Sequence, residues 1–312
     1  MSAPRVRATA FAPASVGNVA IGFDILGFSV DALGDRVSVA RRAEPGVAIS
    51  AVRGIAGELP HEPRDNTAGR ALLAMQEAAQ PDFGFVLEID KGIPLGSGLG
   101  GSAASAVGAV VAANALLPAP CSRPELLKFA MAGEAVASGS RHVDNIAPAL
   151  YGGLVLTVGI DEPRVKQIPV PATIRAVIVH PHMFLATARA RAILKRSVEL
   201  SDFVWQTANL AGFISGCYTD DLDMIRASLE DVVIEPQRQA LIPGFQEVRR
   251  AALQAGALGC SISGAGPAMF AWALEGSSGA VMAAMRREFE AKGLATDGWI
   301  VDLRGAGARV ID

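Results

Sequence analysis

Alternating apolar and polar positions mark the first part of the chain and predict strands. Apolar side chains recur at every second position over residues 5–12, and two further apolar segments follow over 30–40 and 47–52. Asn66 then precedes a helical pattern that runs to Ala78, and its side-chain oxygen can accept from the free N–H groups of a first turn. The N-terminal part is therefore predicted to begin with strands and to continue into a capped helix.

Strand and helix patterns continue beyond this helix. They predict a strand over 83–89, an apolar helix over 102–117, an amphipathic helix over 124–137 and a strand over 154–158. The proline-rich stretch 163–171 interrupts the pattern and predicts a boundary between a domain at 1–165 and a domain at 166–312.

The C-terminal part repeats a mixture of strands and helices. Strands are predicted over 174–180, 258–263, 268–274 and 299–303, with helices up to 229 and over 243–255 and 277–292. This order is similar to that of a ferredoxin-like domain with inserted helices. The whole pattern predicts an α+β protein.

Composition narrows the class of ligand. The 312 residues are 51% hydrophobic, which is enough to bury a full core and excludes disorder as the overall state. Lys and Arg number 28 against 31 Asp and Glu, so a dense basic surface for nucleic acid is not expected. Three cysteines without CxxC spacing predict a reducing compartment and no structural zinc. A small-molecule ligand and a cytoplasmic location are the expectations.

One uncharged segment raises the question of a membrane span. Residues 92–122 carry no charge and are long enough to cross a hydrocarbon layer of about 30 Å. Gly, Ser and Ala dominate the first half of this segment, however, and Pro94 with the glycines breaks any single long helix. Pro13, Gly17 and Asn18 also interrupt the apolar run that a signal peptide needs. The sequence thus predicts a buried helix and no membrane partner.

The glycine-rich loop before that helix carries the strongest functional signal. It reads Pro94-Leu95-Gly96-Ser97-Gly98-Leu99-Gly100-Gly101-Ser102-Ala103-Ala104-Ser105. Gly96, Gly98 and Gly101 fit the dinucleotide fingerprint, but no second strand with an acidic end follows about twenty residues later. A Walker A loop is also excluded, because no Lys follows the glycines.

Two interpretations of the loop remain. Glycines let the backbone approach a phosphate, and the free N–H groups and positive end of the following helix attract negative charge. Ser102 adds a hydroxyl for phosphate or magnesium, and the small residues Ala103 and Ala104 allow a close approach. The alternative is a tight turn that only introduces a core helix.

Three segments resemble motifs of the GHMP kinase superfamily. The glycine loop is similar to the phosphate loop P-x-x-x-G-L-G-S-S-A-A, with Gly101 where the family commonly has its first Ser. Residues 12–27 resemble the N-terminal motif of the homoserine kinases, with departures at Val16, Ala20 and Ile21. Residues 261–268 resemble the third motif, a glycine loop near the phosphates, with departures at Ala265 and Ala268.

The resemblance implies a fold and a set of cofactors. It implies a two-domain GHMP kinase fold, with an N-terminal ribosomal-S5-domain-2-like domain and a C-terminal ferredoxin-like α/β sandwich. ATP is the implied phosphoryl donor, held by residues 94–104 together with Gly264 and Gly266, while Asn66 lies near the adenine. Mg²⁺ is implied at Ser102 and at Glu134, although Glu134 on its own would be interpreted as a solvated helix carboxylate.

The segment 138–149 resembles the homoserine kinase pattern S-G-x-x-H-x-D-N-x-A-P. Mevalonate-type members carry a catalytic Asp near this point, whereas the resemblance places Asn145 there, and an amide cannot act as a general base. Catalysis by Asn145, Ser102 and Glu134 would then depend on alignment and electrostatic stabilisation. His142 and Asp144 are also interpretable as a hydrogen-bond cluster at a helix end.

The same resemblance implies a site for the zwitterion L-homoserine. Arginine forks suit a carboxylate, and the family pattern places Arg191 and Arg238 there. The other implied substrate-binding residues are Asn18, Asp24, His142, Asn145 and Thr187. The expected reaction is ATP-dependent phosphorylation of the L-homoserine hydroxyl to O-phospho-L-homoserine for threonine synthesis.

Two alternatives to this function stay open. A GHMP-type kinase of another small alcohol would share the fold and the phosphate loop. A non-catalytic relative that binds a ligand without turnover would have lost its magnesium ligands or its phosphate loop. The oligomeric state also stays open, with a homodimer as one possibility.

Overall fold

A computed structural model describes residues 5–55, 59–138, 143–159 and 162–312. A seven-stranded mixed sheet forms the first layer of these residues. Its strands are β1 (Arg7–Gly17), β2 (Leu26–Arg42), β3 (Val47–Gly54), β4 (Gly84–Lys91), β5 (Leu154–Val158), β6 (Arg164–Ile168) and β11 (Arg309–Val310). The order is β11-β1-β2-β4-β3, with β5 paired to β2 and to β6. All pairs are antiparallel except β3 with β4.

Four helices accompany this sheet. They are α1 (Thr67–Ala79), α2 (Gly101–Asn114), α3 (Arg123–Ser138) and α4 (Val143–Tyr151). Helix α2 packs against β1, β2, α1 and α3, so nearly its whole circumference is buried. A helix surrounded on all sides needs small apolar residues throughout, which explains its Ala, Gly and Val composition. The phosphate-loop end of α2 is thereby fixed in the middle of the N-terminal layer.

The second layer is a four-stranded antiparallel sheet in the order β10-β7-β9-β8. Its strands are β7 (Ile174–Pro181), β8 (Ala257–Ile262), β9 (Met269–Leu274) and β10 (Thr296–Asp302). Helices α9 (Phe245–Gln254) and α10 (Glu275–Ala291) cover one face of it. Between β7 and β8 lie α5 (Thr187–Ala192), α6 (Leu200–Thr219), α7 (Leu222–Ser228) and α8 (Glu235–Arg238), followed by a 3₁₀ turn at Gln239–Leu241.

An aromatic contact joins the two layers. Phe28 of β2 meets Phe270 and Trp272 of β9 edge-on, with ring centroids 5.7 and 6.3 Å apart. All three side chains are fully buried. Edge-to-face pairs of this kind add to the area that burial removes from water. The contact places the cleft between the layers next to the N-terminal motif.

Most predicted elements are present with ends shifted by a few residues. Helix α1 begins where Asn66 predicted it, because the Asn66 side chain accepts from the N–H groups of Ala68 and Gly69. Helix α4, which contains Pro148, was not predicted from the sequence. The boundary at 165 stays a prediction, and β6 crosses it as part of the first sheet.

The described part of the chain contains no helix that is both long and apolar enough to span a bilayer. The uncharged segment that raised this question contributes the buried helix α2, which has 14 residues.

Candidate active site

A cavity of about 170 Å³ lies where the two layers meet. Its walls come from the N-terminal motif, the glycine loop, α3, α4, α5, α8 and the third motif. The lining residues are Asn18, Phe23, Asp24, residues 94–102, Glu134, Asp144, Asn145, Thr187, Arg191, Arg238, Gly264 and Ala265. The N-terminal motif, the glycine loop and the third motif, which are far apart in the sequence, therefore line the same cavity.

The cavity gathers most, though not all, of the residues predicted for the site. Asn66, Ala103, Ala104 and Gly266 lie outside the lining. His142 belongs to the stretch outside the described residues, so its predicted role is not addressed by the structure.

The glycine loop adopts a backbone that only glycine accommodates easily. Gly96, Gly98 and Gly100 have φ angles of 62°, 79° and 67°, in the left-handed region. A Cβ on Gly98 would lie 2.5 Å from the carbonyl oxygen of Ser263, and one on Gly100 would lie 2.1 Å from Ser15 Oγ. Gly100 is also the N-cap residue of α2 and has no side chain to occupy the first-turn N–H groups. Those groups and the positive helix end remain directed at the cavity wall.

Hydrogen bonds from both other motifs hold this loop. The backbone N–H of Ser15 donates to the carbonyl of Leu99 at 3.1 Å, and the backbone N–H of Ala268 donates to the carbonyl of Ser97 at 3.0 Å. Ser263 Oγ donates to the carbonyl of Gly98 at 2.7 Å. The third motif therefore lies against the glycine loop.

A buried ion pair supports the loop from below. Lys91 Nζ donates to Asp35 Oδ2, to the carbonyl of Gly101 at 2.7 Å and to Ser105 Oγ at 2.9 Å. Asp35 Oδ1 accepts from the backbone N–H groups of Gly92 and Ile93, at 3.0 and 3.3 Å. Lys91 is 2% exposed and Asp35 is fully buried.

This network was not identified from the sequence, because Asp35 and Lys91 are 56 positions apart. One signal was present: Lys91 is the last charged residue before the uncharged segment 92–122. A buried ion pair with all its donors and acceptors used fixes α2 on the sheet at the point where the loop enters the helix.

Ser102 and Glu134 meet on the wall beside the loop. Ser102 Oγ, in the first turn of α2, donates to Glu134 Oε1 of α3 at 2.9 Å, and Glu134 is 5% exposed. Two side-chain oxygens beside the glycine loop would suit Mg²⁺, which usually takes one or two protein ligands and completes its shell with phosphate oxygens and water. The described residues contain no cluster of three His, Cys, Asp or Glu for an all-protein metal site. The pair thus fits the predicted magnesium role.

Asn145 is held in place from the N-terminal motif. Ser15 Oγ donates to Asn145 Oδ1 at 3.0 Å, which directs the amide nitrogen of Asn145 elsewhere. Gly17 packs so closely that a Cβ there would lie 2.7 Å from Asn145 Nδ2 and 2.3 Å from Asp144 Oδ2. Asp144 also lines the cavity and is 2% exposed. Both polar residues of α4 are therefore part of the site, whereas sequence analysis favoured only Asn145.

The N-terminal motif forms a left-handed turn that places Asn18 and Asp24. Asn18, Val19 and Ala20 have φ angles of 69°, 46° and 59° in succession, and Asp24 has 62°. Asn18 Nδ2 donates to the carbonyl of Gly264 at 2.9 Å, while Asn18 Oδ1 accepts from the N–H of Asp24 at 3.0 Å. Backbone strain of this kind in residues other than glycine is concentrated at functional sites.

The far wall of the cavity carries two arginines. Arg238 is 3% exposed, and it donates from Nε to the carbonyl of Ala190 at 3.1 Å and from Nη1 to that of Gly264 at 3.0 Å. Burial, and then the positive charge of Arg191, lower the pKa of Arg238. Arg191 reaches Asp24 through Nη2, at 2.7 Å from Oδ1 and 3.0 Å from Oδ2.

Phe23 lies between the two arginines and was not identified from the sequence. The Cζ atoms of Arg191 and Arg238 lie 5.4 and 5.2 Å from its ring centroid. An aromatic face attracts each guanidinium, so the ring keeps two like charges on the same wall. Its position directly before Asp24 was the available signal.

Asp231 fixes the turn that leads into α8, the helix that carries Arg238. Asp231 accepts from the backbone N–H groups of Val233, Ile234 and Glu235, at 2.9, 2.9 and 2.8 Å. Glu235 accepts from Ser261 Oγ, and burial raises the pKa of Glu235 to about 7.

The two remaining predicted residues differ in position. Thr187 lines the cavity at the start of α5. Asn66 caps α1 through Oδ1 and donates from Nδ2 to the carbonyl of Pro60 at 2.9 Å. These structural bonds account for Asn66, and its predicted place near the adenine stays a prediction.

Known proteins resemble the chain along nearly its whole length. Residues 66–153 match the family model described as "GHMP kinases N terminal domain", and residues 213–291 match "GHMP kinases C terminal". A homoserine kinase of Xylella fastidiosa (strain M12) is 51% identical, with 98% of this chain and 94% of the relative covered. A homoserine kinase of Chlorobium phaeobacteroides (strain BS1) is 42% identical, with 97% of this chain and 99% of the relative covered.

Solved structures agree with these sequence comparisons. The crystal structure of homoserine kinase from Cytophaga hutchinsonii superposes with a TM-score of 0.96 at 42% identity, covering 100% of this chain and 99% of that one. A mevalonate kinase of L. major in complex with R-mevalonate shares the fold at a TM-score of 0.70 and 16% identity, over 96% of this chain and 98% of that one.

Proposed function

The chain belongs to the GHMP kinase family, and from this premise we propose that it transfers the γ-phosphoryl group of ATP to the hydroxyl of L-homoserine. The product is O-phospho-L-homoserine. Homoserine kinases at 42–51% identity over nearly the full length support this substrate. The observation that carries the assignment of the site is the shape of the cavity, which joins a phosphate-binding loop to a wall with two arginines and an aspartate. Cytoplasmic synthesis of threonine is the proposed setting.

The glycine loop and the start of α2 receive the phosphates in this proposal. The left-handed glycines bring the backbone close to the cavity, and the helix N-terminus stabilises negative charge. In phosphoryl transfer the protein mainly positions the groups and neutralises charge. The Lys91–Asp35 pair contributes by keeping the loop fixed, since a displacement of the phosphate would misalign it with the acceptor.

Ser102 and Glu134 would hold Mg²⁺ at the edge of the phosphate loop. When bound there, the ion would neutralise charge on the β- and γ-phosphates. The hydrogen bond between the two side chains keeps both oxygens on the same wall before the ion arrives.

The opposite wall suits an amino acid. Arg191 and Arg238 offer guanidinium groups to the carboxylate of homoserine, and Asp24 offers a carboxylate to its ammonium group. Asn18 and Thr187 are assigned to the same end. This wall sets the orientation of the substrate, so that its hydroxyl points toward the loop.

Asn145 lies between the two ends and is assigned to the acceptor hydroxyl. Its Oδ1 is already engaged by Ser15, so its amide nitrogen is the group left to donate. An amide cannot remove the proton, and the proposal assigns no dedicated general base. Catalysis then comes from alignment of the hydroxyl and from charge stabilisation by the loop.

Each alternative predicts something different about the site. A kinase of another small alcohol would not need a wall with two arginines and Asp24. A non-catalytic relative would have lost the paired oxygens of Ser102 and Glu134, which are 2.9 Å apart in this structure. The geometry therefore favours an active kinase of a zwitterion.

The direct test is a coupled ADP-release assay with Mg-ATP and equal concentrations of L-homoserine, mevalonate, galactose and L-serine. Selective turnover of L-homoserine supports the proposal. Turnover of another alcohol would support a kinase but exclude L-homoserine as its substrate. No turnover with any of the four compounds would favour the non-catalytic alternative.

A variant tests the magnesium assignment separately. Glu134→Gln should lower kcat by on the order of tenfold or more and raise the Mg²⁺ concentration needed for half-maximal activity. Glu77→Gln, an exposed change on α1, is the control. Wild-type kcat and Mg²⁺ dependence in Glu134→Gln would remove Glu134 from the assignment.

A further inference from the structure

Two groups assigned to the substrate are bonded to each other in this structure. Arg191 and Asp24 form an ion pair in which one guanidinium nitrogen lies 2.7 Å from Oδ1 and 3.0 Å from Oδ2. Both side chains line the cavity and are about one-third exposed, at 33% and 37%. The pair therefore lies where a ligand with the same two charges would bind.

Arg238 differs from Arg191 in being committed to the fold. Its Nε and Nη1 donate to the carbonyls of Ala190 and Gly264, and it is 3% exposed. Arg191 is more exposed and lies near the end of the short helix α5. Arg191 is therefore the more accessible of the two cations to a ligand in the cavity.

We propose that the Asp24–Arg191 pair is a specificity element, which opens only for a ligand that carries both a carboxylate and an ammonium group. The proposal rests on the assignment of this cavity to homoserine. Binding of the zwitterion exchanges one ion pair within the protein for two between protein and substrate. A ligand with one charge breaks the Asp24–Arg191 ion pair and forms only one ion pair with the protein.

The exchange makes the two charges of the substrate interdependent. A carboxylate alone must compete with Asp24 for Arg191, and an ammonium group alone must compete with Arg191 for Asp24. Ligands that lack one charge are therefore bound more weakly for two reasons. They form one ion pair fewer with the protein, and they must also break the Asp24–Arg191 ion pair. A site in which both residues were separate would show no such competition.

Removal of Asp24 provides the decisive test. The probe is 4-hydroxybutanoate, which is homoserine without its amino group, and its dissociation constant is measured by calorimetry at fixed pH and low ionic strength. Asp24→Asn should bind this probe roughly fivefold more tightly than the wild type, because the competing carboxylate is gone. The same variant should bind L-homoserine more weakly. Asn also tolerates the left-handed backbone at position 24, where φ is 62°.

The reciprocal experiment removes the arginine. Arg191→Gln should bind 3-aminopropan-1-ol, which is homoserine without its carboxylate, more tightly than the wild type does, while it binds L-homoserine more weakly. Asp31→Asn and Arg189→Gln are matched controls, because both residues are exposed and Arg189 lies on the same helix as Arg191. Neither control should change the affinity for either probe.

The results separate this proposal from the function on which it rests. If each variant binds its single-charge probe no more tightly than the wild type, exchange is excluded even when the wild-type enzyme turns over homoserine. If the wild type fails to turn over homoserine, the proposed function is lost, whatever the probes show. Thermal unfolding of each variant checks that the fold is retained before binding is measured.

Discussion

The two ends of the cavity, which we assign to phosphate and to the amino acid, differ in the groups that form them. At the phosphate end, the loop acts through backbone groups, glycines and a helix terminus, all held by a buried network in which Lys91 and Asp35 use their polar atoms. At the amino-acid end, the surfaces that face the cavity are charged side chains from α5, α8 and the N-terminal motif. The first end is fixed before the ligand arrives, whereas the second contains an ion pair that can be exchanged.

The difference follows from what each end must recognise. A phosphate presents the same oxygens in every nucleotide, so a rigid cradle of N–H groups is sufficient. An amino acid must be distinguished from related small alcohols, and charged side chains provide that discrimination. Rigidity at one end and exchange at the other can be tested by variants that affect only one of them.

The largest effect is expected from the network below the loop. Lys91→Met leaves the buried carboxylate of Asp35 without its cation, which should lower the free energy of unfolding by about 3–5 kcal/mol. Urea denaturation monitored by circular dichroism measures the change. Because the network holds the start of α2, the affinity for ATP should fall as well.

Two further variants show whether Lys91→Met loses stability because a buried charge is unpaired or because packing is lost. Lys166→Met removes an exposed lysine of β6 and should leave stability within about 0.5 kcal/mol of the wild type. The double variant Asp35→Asn/Lys91→Met should be more stable than Lys91→Met alone, because no unpaired charge remains. A double variant that is less stable than the single one would show that Lys91 acts through packing.

The stability of the protein should depend on pH through Glu235, which lies on α8 together with Arg238 of the amino-acid end. Burial raises the pKa of Glu235 to about 7 from a usual value of 4.5. A raised folded-state pKa contributes stability that is fully present below pH 4.5 and is lost as the pH rises through about 7. Glu235→Gln should therefore gain stability relative to the wild type across this window, by roughly 3 kcal/mol above it.

Unfolding measured at pH 5 and at pH 8 checks this expectation. Glu247→Gln is the control, because Glu247 is a partly exposed glutamate of the neighbouring α9 whose pKa is lowered by its hydrogen bond to Lys292. Parallel stability curves for Glu235→Gln and the wild type over this pH range would mean that Glu235 is ionised throughout in the folded protein.

How much of the site the sequence could predict depends on how far apart in the chain the contacting residues lie. The Asn66 cap and the glycine loop depend on contacts between near neighbours, and the corresponding elements were predicted to within a few residues. The Lys91–Asp35 pair and the place of Phe23 between two arginines depend on residues brought together only by folding. Local patterns give only weak signals for such contacts, such as the place of Lys91 directly before the uncharged segment 92–122.

Helix α4 shows a second reason for a missed element. No helix was predicted over these residues, and Asp144 was interpreted as part of a hydrogen-bond cluster at a helix end. Polar residues and proline have low helix propensity, but burial of Ile146, Ala147 and Leu150 against the sheet outweighs it. The polar residues on this helix are the ones that line the cavity, so a functional requirement coincides with the failure of the local rule.

A smaller effect, limited to the phosphate end, is expected from Gly98→Ala. The new methyl group would lie 2.5 Å from the carbonyl oxygen of Ser263 and 2.7 Å from that of Gly266, at a φ of 79°. We expect a loss of roughly 1–3 kcal/mol in stability and weaker binding of ATP, with unchanged binding of L-homoserine. Gly276→Ala is the control, because no atom lies within 4 Å of a Cβ there. Equal losses in both affinities would show that the two ends are not independent.

The smallest effect is expected at Gly101, where the phosphate loop departs from the common Ser of the family. A Cβ at Gly101 would lie 3.3 Å from Ile93 Cγ2 and 3.5 Å from Lys91 Nζ, so a serine can be accommodated by shifts of a few tenths of an ångström. Gly101→Ser should therefore change stability by less than about 1 kcal/mol and kcat by less than about threefold. Ser102→Ala is the contrasting variant, since loss of the hydroxyl bonded to Glu134 should lower kcat by on the order of tenfold. A large rise in kcat for Gly101→Ser would mean that this kinase lacks a catalytic hydroxyl, and that its phosphate end is less completely built than its amino-acid end.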